Sequence, residues 1–296
     1  MPLADALPAA TTHGLLAGAL AYLRGRQCRA GGFCFYRSQY LEEPNLLDTW
    51  HALAAYDLLG QRVPRRGALD TWLDGFDPAA LHHPRVLGYW ALSKRLLAPA
   101  WQPSPQLLGR ILAIPLDPPS DREDPSGWLA RTLEAARLQA RFTGLGPRPA
   151  LAAAVRAWHR GGYGPKPNLQ DTARALALLA LLGEPDRGES TARFVESLQD
   201  PQLGFCNTLD SRYVRLDVLL AGVQSCRLLG LPIRYPEVGL SLVRAAQTAE
   251  GAFADVPGAL PTLQSHYTGV ALVVACRAAE AFAHYPEWVP QAAWTA

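Results

Sequence analysis

Two stretches of this sequence are close copies: NLLDTWHALAAYDLLG at 45–60 and NLQDTARALALLALLG at 168–183. Both read N-x-x-D-T, then an apolar run, then Leu-Gly. A third, VRLDVLLAGVQSCRLLG at 214–230, keeps the Asp and the Leu-Gly end. An Asp at the start of such a run is expected to be a helix N-cap, and a closing Gly a left-handed C-cap. A second pattern recurs ahead of these runs: QCRAGGF (27–33), QDPQLGF (199–205) and QTAEGAF (247–253). Each has a glutamine six residues before a phenylalanine, with a glycine between. Gly32, Gly75, Gly162, Gly204 and Gly251 mark the loops at spacings of 43, 87, 42 and 47. The step of 87 hides one further unit near Asp117, so the chain holds six repeats of about 43 residues. A period of that size is the mark of a repeat architecture.

Each repeat predicts an outer helix, a loop and an inner helix, beginning near residues 14, 64, 105, 150, 189 and 236. The outer helices are amphipathic: Leu16, Leu20 and Leu23 share one face, as do Leu240, Val243 and Gln247. The inner helices are apolar nearly all round, as helices with neighbours on most sides should be. No terminal repeat is markedly polar, as an open stack would need for its caps. The expected fold is therefore all-α, an (α/α)6 toroid of six helical hairpins forming a single domain over 1–296. The glutamine is expected to satisfy the last carbonyls of the outer helix and to bridge to the next repeat. The glycine lets the chain reverse, and the aromatic ring plugs the joint. Repeats two and four lack the glutamine.

Composition excludes several classes. Of 296 residues 49% are apolar and 18% charged, with a net charge of +2 and no basic run, so nucleic acid is not the expected partner. The opening MPLADALPAATTHG lacks the charged and apolar regions of a signal peptide. The longest apolar run, 175–182, is far short of the ~20 residues that span a bilayer. Cys28, Cys34, Cys206, Cys226 and Cys276 are odd in number and contain no CxxC pair. They are read as reduced thiols of a cytoplasmic protein, with a zinc site at Cys28 and Cys34 as the alternative.

Gln27/Gly31/Phe33 and Gln247/Gly251/Phe253 resemble the QW motif of squalene–hopene and oxidosqualene cyclases, with Phe for Trp. The run GGF…LLDTWHALAAYDLLG resembles the repeat of protein prenyltransferase β-subunits. The resemblance spans about 14–285. It implies a ring around an apolar, aromatic-lined cavity for an isoprenoid, with active groups at the inner-helix N-termini. The family's catalytic motifs are altered. Where the prenyltransferases place a zinc-binding D-x-C, this chain has Asp217-Val218-Leu219; where they have Tyr-His-Thr, it has His266-Tyr267-Thr268. Zinc is therefore not expected. The cyclases' proton-donating D-x-D-D-T is matched only by Asn45–Thr49 and Asn168–Thr172, with Leu47 or Gln170 at the middle acid. A displaced acidic run, Asp121-Arg122-Glu123-Asp124, precedes the third inner helix.

The residues entering the inner helices form the candidate site. Asp48, Asp171, Asp217, His266 and Tyr267 are the candidate catalytic groups, with Asp48, Asp171 or Asp217 acting as proton donor, base or Mg²⁺ ligand and His266 near the polar head. Trp50, His51, Tyr89, Trp90, Trp128, Arg131, Arg174 and Arg215 are the candidate substrate-binding groups. Aromatic faces suit a prenyl tail or a carbocation. Arg131, Arg174 and Arg215 suit a diphosphate, which would bring Mg²⁺ with it. The bland reading is that the Asp residues are helix caps and the rings are core. The expected function is isoprenoid handling of the terpene cyclase/prenyltransferase type. A non-catalytic lipid-binding or protein-interaction ring is the alternative, and a carbohydrate-active toroid is the third reading. A protein partner or a homo-oligomer is left open.

Overall fold

The computed structural model describes residues 9–36, 41–119, 124–211 and 213–277. These residues carry twelve α-helices in chain order. Six are outer helices: α1 (Ala9–Gly25), α3 (Arg66–Asp74), α5 (Pro105–Leu112), α7 (Pro149–Ala157), α9 (Glu189–Ser197) and α11 (Pro236–Ala245). Six are inner helices: α2 (Leu46–Leu58), α4 (Pro84–Leu97), α6 (Pro125–Thr143), α8 (Leu169–Leu181), α10 (Leu216–Leu229) and α12 (Leu263–Arg277). The described residues are all-α apart from two tiny hairpins, β1 (His159–Arg160) with β2 (Gly162–Tyr163) and β3 (Gln199–Asp200) with β4 (Gly204–Phe205). No helix among the described residues is long and apolar enough to cross a membrane.

The chain divides into two compact units, Met1–Gly109 with Leu240–Ala296, and Arg110–Gly239. In the first, α2 lies between α12 and α4, while α1 packs on α12 and α3 on α4. In the second, α8 lies between α6 and α10, while α7 packs on α8 and α9 on α10. Each unit thus has a row of three inner helices faced by outer ones. Inner helices supply most of the core: Trp50, Leu53 and Tyr56 on α2, and Leu176, Leu178 and Leu179 on α8, are buried.

The glutamine and phenylalanine of the recurring loop are paired across an antiparallel bridge: Gln27 with Phe33, Gln199 with Phe205 and Gln247 with Phe253. His159 and Tyr163 pair likewise in repeat four. The loop is a clasp with two jaws. In repeats one, four and six its aromatic backbone N–H is held by the inner helix: Phe33 N donates to Thr49 Oγ1 (2.9 Å), Tyr163 N to Thr172 Oγ1 (3.0 Å) and Phe253 N to His266 Nδ1 (3.3 Å). The aromatic ring then needs a small residue one turn on. A Cβ on Gly222 or Gly269 would lie 2.3 or 2.2 Å from the ring of Phe205 or Phe253. The equivalent helix positions in repeats one and four hold Ala52 and Ala175, both fully buried.

The glutamine reaches a different set of carbonyls from those expected. Gln27 Nε2 donates to Gly31 O (2.9 Å) in its own loop, and its Oε1 accepts from Arg65 N (3.2 Å) at the start of α3. Gln199 pairs with Pro232 O (3.0 Å) and Arg234 N (2.6 Å), just ahead of α11. The bridge to the next repeat is as expected, but the outer helix's last carbonyls go elsewhere. Where the glutamine is missing or the loop differs, inner-helix side chains reach back. Trp90 Nε1 donates to Leu73 O at the end of α3 (2.9 Å), and Gln139 Nε2 to Ile111 O (3.2 Å) and Ile114 O (2.8 Å) at the end of α5.

The clasp of repeat six reaches the helix of repeat one. Gln247 Nε2 donates to Leu15 O in α1 (2.9 Å) as well as to Gly251 O (3.0 Å). Arg26 at the end of α1 pairs with Glu250 (3.0 Å). Gly251 has φ +87, and a Cβ there would lie 2.3 Å from Gly18 O; Gly31 (φ +113) sits equally close to Ala68 O of α3. Clasp six therefore docks on α1 as clasp one docks on α3.

Candidate functional site

The inner helices of repeats one, four and six start on a side-chain N-cap. Asn45 Oδ1 accepts from Asp48 N (2.8 Å), and Asn168 Oδ1 from Asp171 N (2.9 Å). Thr262 Oγ1 accepts from Ser265 N (3.0 Å) in repeat six. The N-caps are thus the Asn residues, and Asp48 and Asp171 sit three places on, correcting the expectation that the Asp itself caps. The alignment also corrects the register of repeat five. Arg215 is the N-cap of α10, so Asp217 sits one place earlier in its helix than Asp48 and Asp171 do. Asp124 caps α6 through Gly127 N (2.7 Å), while Asp121, Arg122 and Glu123 lie outside the described residues.

The three candidate carboxylates differ sharply. Asp48 is buried; its Oδ2 accepts from Asn45 Nδ2 (2.8 Å) and Phe35 N (3.1 Å). Burial raises its pKa, and those two hydrogen bonds oppose the rise. Asp171 is 1% exposed and saturated: Oδ2 accepts from Ser126 Oγ (2.5 Å) and Asn168 Nδ2 (2.8 Å), and Oδ1 from Arg174 (2.9 Å). Asp217 is half-exposed and takes both donors of Arg215 at 3.0 Å. Asp171→Ala leaves Ser126, Asn168 and Arg174 without their acceptor and is expected to cost about 3 kcal/mol. Asp217→Ala removes a half-exposed pair and should cost less than ~0.5 kcal/mol. Urea midpoints of the two variants check this; equal losses would mean Asp171 is not the buried hub of its helix start.

Four of the candidate rings meet in the first unit, at the starts of α2, α4 and α12. Trp50 stacks on Tyr89 (centroids 5.7 Å) and lies 5.9 Å from Tyr267; His51 is 4.6 Å from Trp50, 5.9 Å from Tyr267 and 6.2 Å from Tyr89. Trp50, His51 and Tyr267 are buried, and Tyr89 is half-buried. Trp50 Nε1 has no hydrogen-bond partner among the described residues. His51 Nδ1 faces Leu47 O (2.9 Å), a carbonyl that can only accept, so this nitrogen carries the proton and Nε2 the lone pair. Burial lowers the His51 pKa to about 4, so the ring is neutral at pH 7.

The remaining candidates lie apart from these rings or are otherwise engaged. His266, one step from Tyr267 and ~100° around the helix, belongs to clasp six. It is fully buried against Tyr22 (4.8 Å) and Phe253 (5.8 Å), and burial lowers its pKa to about 3. It stands where Thr49 and Thr172 stand in repeats one and four. Trp90 and Trp128 are buried with their indole N–H groups given to Leu73 O and Asp117 O, each at 2.9 Å. Arg174 and Arg215 are paired with Asp171 and Asp217, and Arg131 is exposed on α6. No three His, Cys, Asp or Glu side chains gather to hold a metal ion among the described residues.

Two polar groups escaped the sequence reading. Ser126, in the first turn of α6, completes the shell of Asp171. Asp186 accepts from Tyr163 OH and Thr191 Oγ1, both at 2.7 Å, and Thr191 in turn meets His159 Nε2 at 3.0 Å. Aligning TLQSHY (262–267) beneath NLLDTW (45–50) would have placed His266 with the threonines; no comparable pattern marks Ser126 or Asp186.

No protein-family model matches the sequence, and no curated protein matches it significantly.

Proposed function

We propose that this chain is an isoprenoid-binding helical ring of the terpene cyclase/prenyltransferase type, which holds an apolar chain against Trp50, His51, Tyr89 and Tyr267. The observation that carries the reading is the meeting of those four rings at inner-helix starts. Trp50 Nε1 brings an unused donor and the neutral His51 an acceptor lone pair. Together they suit a neutral hydroxyl head on an apolar tail. Within the first unit, clasp six uses α1 as its following outer helix, as the repeat pattern of a ring requires. Holding is favoured over turnover, because Asp171 and Asp217 are already bound by donors of their own surroundings. A catalytic second reading rests on Asp48, which is buried, has a raised pKa and shares the first turns of α2 with Trp50 and His51. A carbohydrate site is not favoured, since the indoles of Trp90 and Trp128 are buried and bonded to backbone.

Calorimetric titration with geranylgeraniol and with geranylgeranyl diphosphate tests the proposal. Binding of at least one is expected, weakened about tenfold or more by Tyr89→Ala, a loss of ~1.4 kcal/mol. Trp128→Phe, in the other unit, should bind as wild type does. Diphosphate release from the second probe, abolished by Asp48→Asn, would establish the catalytic version. A folded wild-type protein that binds neither probe would end both.

A further inference from the structure

We propose that Cys28 and Cys34 form a redox couple, a buried dithiol that a hydroperoxide closes to a disulfide across clasp one. The bridge between Gln27 and Phe33 fixes the geometry. Cys28 N donates to Gly32 O (2.8 Å) and Cys34 N to Arg26 O (3.3 Å), so both cysteines stand one step beyond the paired residues. Alternation along the two strands puts their side chains on one face, on the diagonal of the hairpin. The two Sγ atoms are 3.0 Å apart, about 1 Å from the ~2.05 Å of a disulfide bond.

The clasp itself does not require sulfur at these places. The equivalent positions are Asp200 and Cys206 in clasp five, and Thr248 and Ala254 in clasp six. Asp200 there accepts from Gln202 N (2.7 Å) and Leu203 N (2.9 Å), a purely structural use. Among the clasps built on a glutamine, clasp one alone carries two thiols. Both are nearly sealed, at 0% and 2% exposure, whereas the following Phe35 and Tyr36 are 45% and 60% exposed. A small oxidant next to the exposed end of the loop suits such a pair; a bulky disulfide reagent does not.

The chemistry balances with a hydroperoxide. One cysteine attacks the peroxide oxygen, becomes a sulfenic acid and releases water or an alcohol. The second sulfur then attacks the sulfenic sulfur, the S–S bond forms and water leaves with the remaining proton. Two thiols are oxidised by two electrons, and one O–O bond is reduced.

Closure is felt at the start of α2. Cys34 lies between Phe33, whose N–H is held by Thr49 and whose carbonyl accepts from Asn45 N (3.2 Å), and Phe35, whose N–H is held by Asp48. Drawing Cys34 toward Cys28 pulls on the hydrogen bond that Phe35 gives Asp48. The state of the couple therefore reaches the turn that presents Trp50 and His51.

Peptide mapping of the folded protein after mild hydrogen peroxide tests this. Trypsin cuts after Arg29, between the cysteines, so the disulfide appears as Gln27–Arg29 joined to Ala30–Arg37, lighter by two hydrogens. That linked species is expected as the main product and should vanish with dithiothreitol, while the buried Cys206 stays alkylatable throughout. Cys28→Ser and Cys34→Ser should each give no linked species, and the remaining thiol should progress to sulfinic acid. Peroxide that yields sulfinic acid at both positions without linkage, or linkage that forms only in urea, would overturn the couple. So would thiols that stay unreactive until the protein unfolds.

Discussion

Gly251→Ala will destabilise the protein by on the order of 4 kcal/mol. Two costs combine at this residue. Its φ of +87 is a conformation that an L side chain adopts at a cost of roughly 1–2 kcal/mol. The new Cβ would also lie 2.3 Å from Gly18 O, a backbone atom in the middle of α1 that cannot swing aside. Forced overpacking of that kind adds about 1–3 kcal/mol. The melting temperature should fall by roughly 10 °C for a protein of this size. Gly258→Ala is the matched control, with φ +81 and nothing within 4 Å of the added carbon. It should show only the backbone cost. If the two variants melt together, clasp six does not dock on α1 as described.

Acid should unfold the protein through two buried histidines. Burial holds His51 down to about 4 and His266 to about 3, from an ordinary 6.5. A group depressed in the folded state contributes stability that is complete above its unfolded pKa and is lost as pH falls toward the folded one. Between pH 6.5 and pH 4 each histidine should therefore remove on the order of 3 kcal/mol, at ~1.4 kcal/mol per pH unit. Asp186 acts in the same direction at lower pH. Burial alone would raise its pKa, but hydrogen bonds from Gly188 N, Thr191 and Tyr163, with the charge of His159, leave it depressed. Asp48 acts oppositely: its folded pKa is raised, so its carboxylate costs stability as pH rises. His266→Thr separates the contributions, because Thr49 and Thr172 already perform the same contact in other repeats. Its urea midpoint should change less between pH 7 and pH 4 than that of the wild type. An unchanged pH profile would remove His266 from the account.

The helices were legible because their signals are local and recur. The N-x-x-D-T starts, the Leu-Gly ends and the Gln-Phe spacing mark boundaries in repeats one, four, five and six, and their period places the other helices; twelve stand among the described residues. Side-chain direction was harder. Family likeness drew His266 and Tyr267 together into one site, yet one residue is ~100° of helix. Tyr267 faces Trp50 and His51, while His266 faces Tyr22 and Phe253. Asp217 resembled Asp171 in sequence but stands one place earlier in its helix, half-exposed beside Arg215. Trp90 and Trp128 were indistinguishable from Trp50 by position. Which indole finds a carbonyl depends on where an outer helix or loop ends in space, and no short motif states that.

The grip of Gln247 on Leu15 joins residues 232 positions apart, and it bears on how the chain is made. A ribosome releases α1 well before the loop that grips it, since the two partners are 232 positions apart. Until that loop emerges the α1 surface around Gly18 waits without its cover, a period in which it is open to chaperones or to the clasp of a second copy. Such distant pairing slows folding relative to a chain of purely local contacts. The first unit therefore reaches its native form only after synthesis of the sixth repeat.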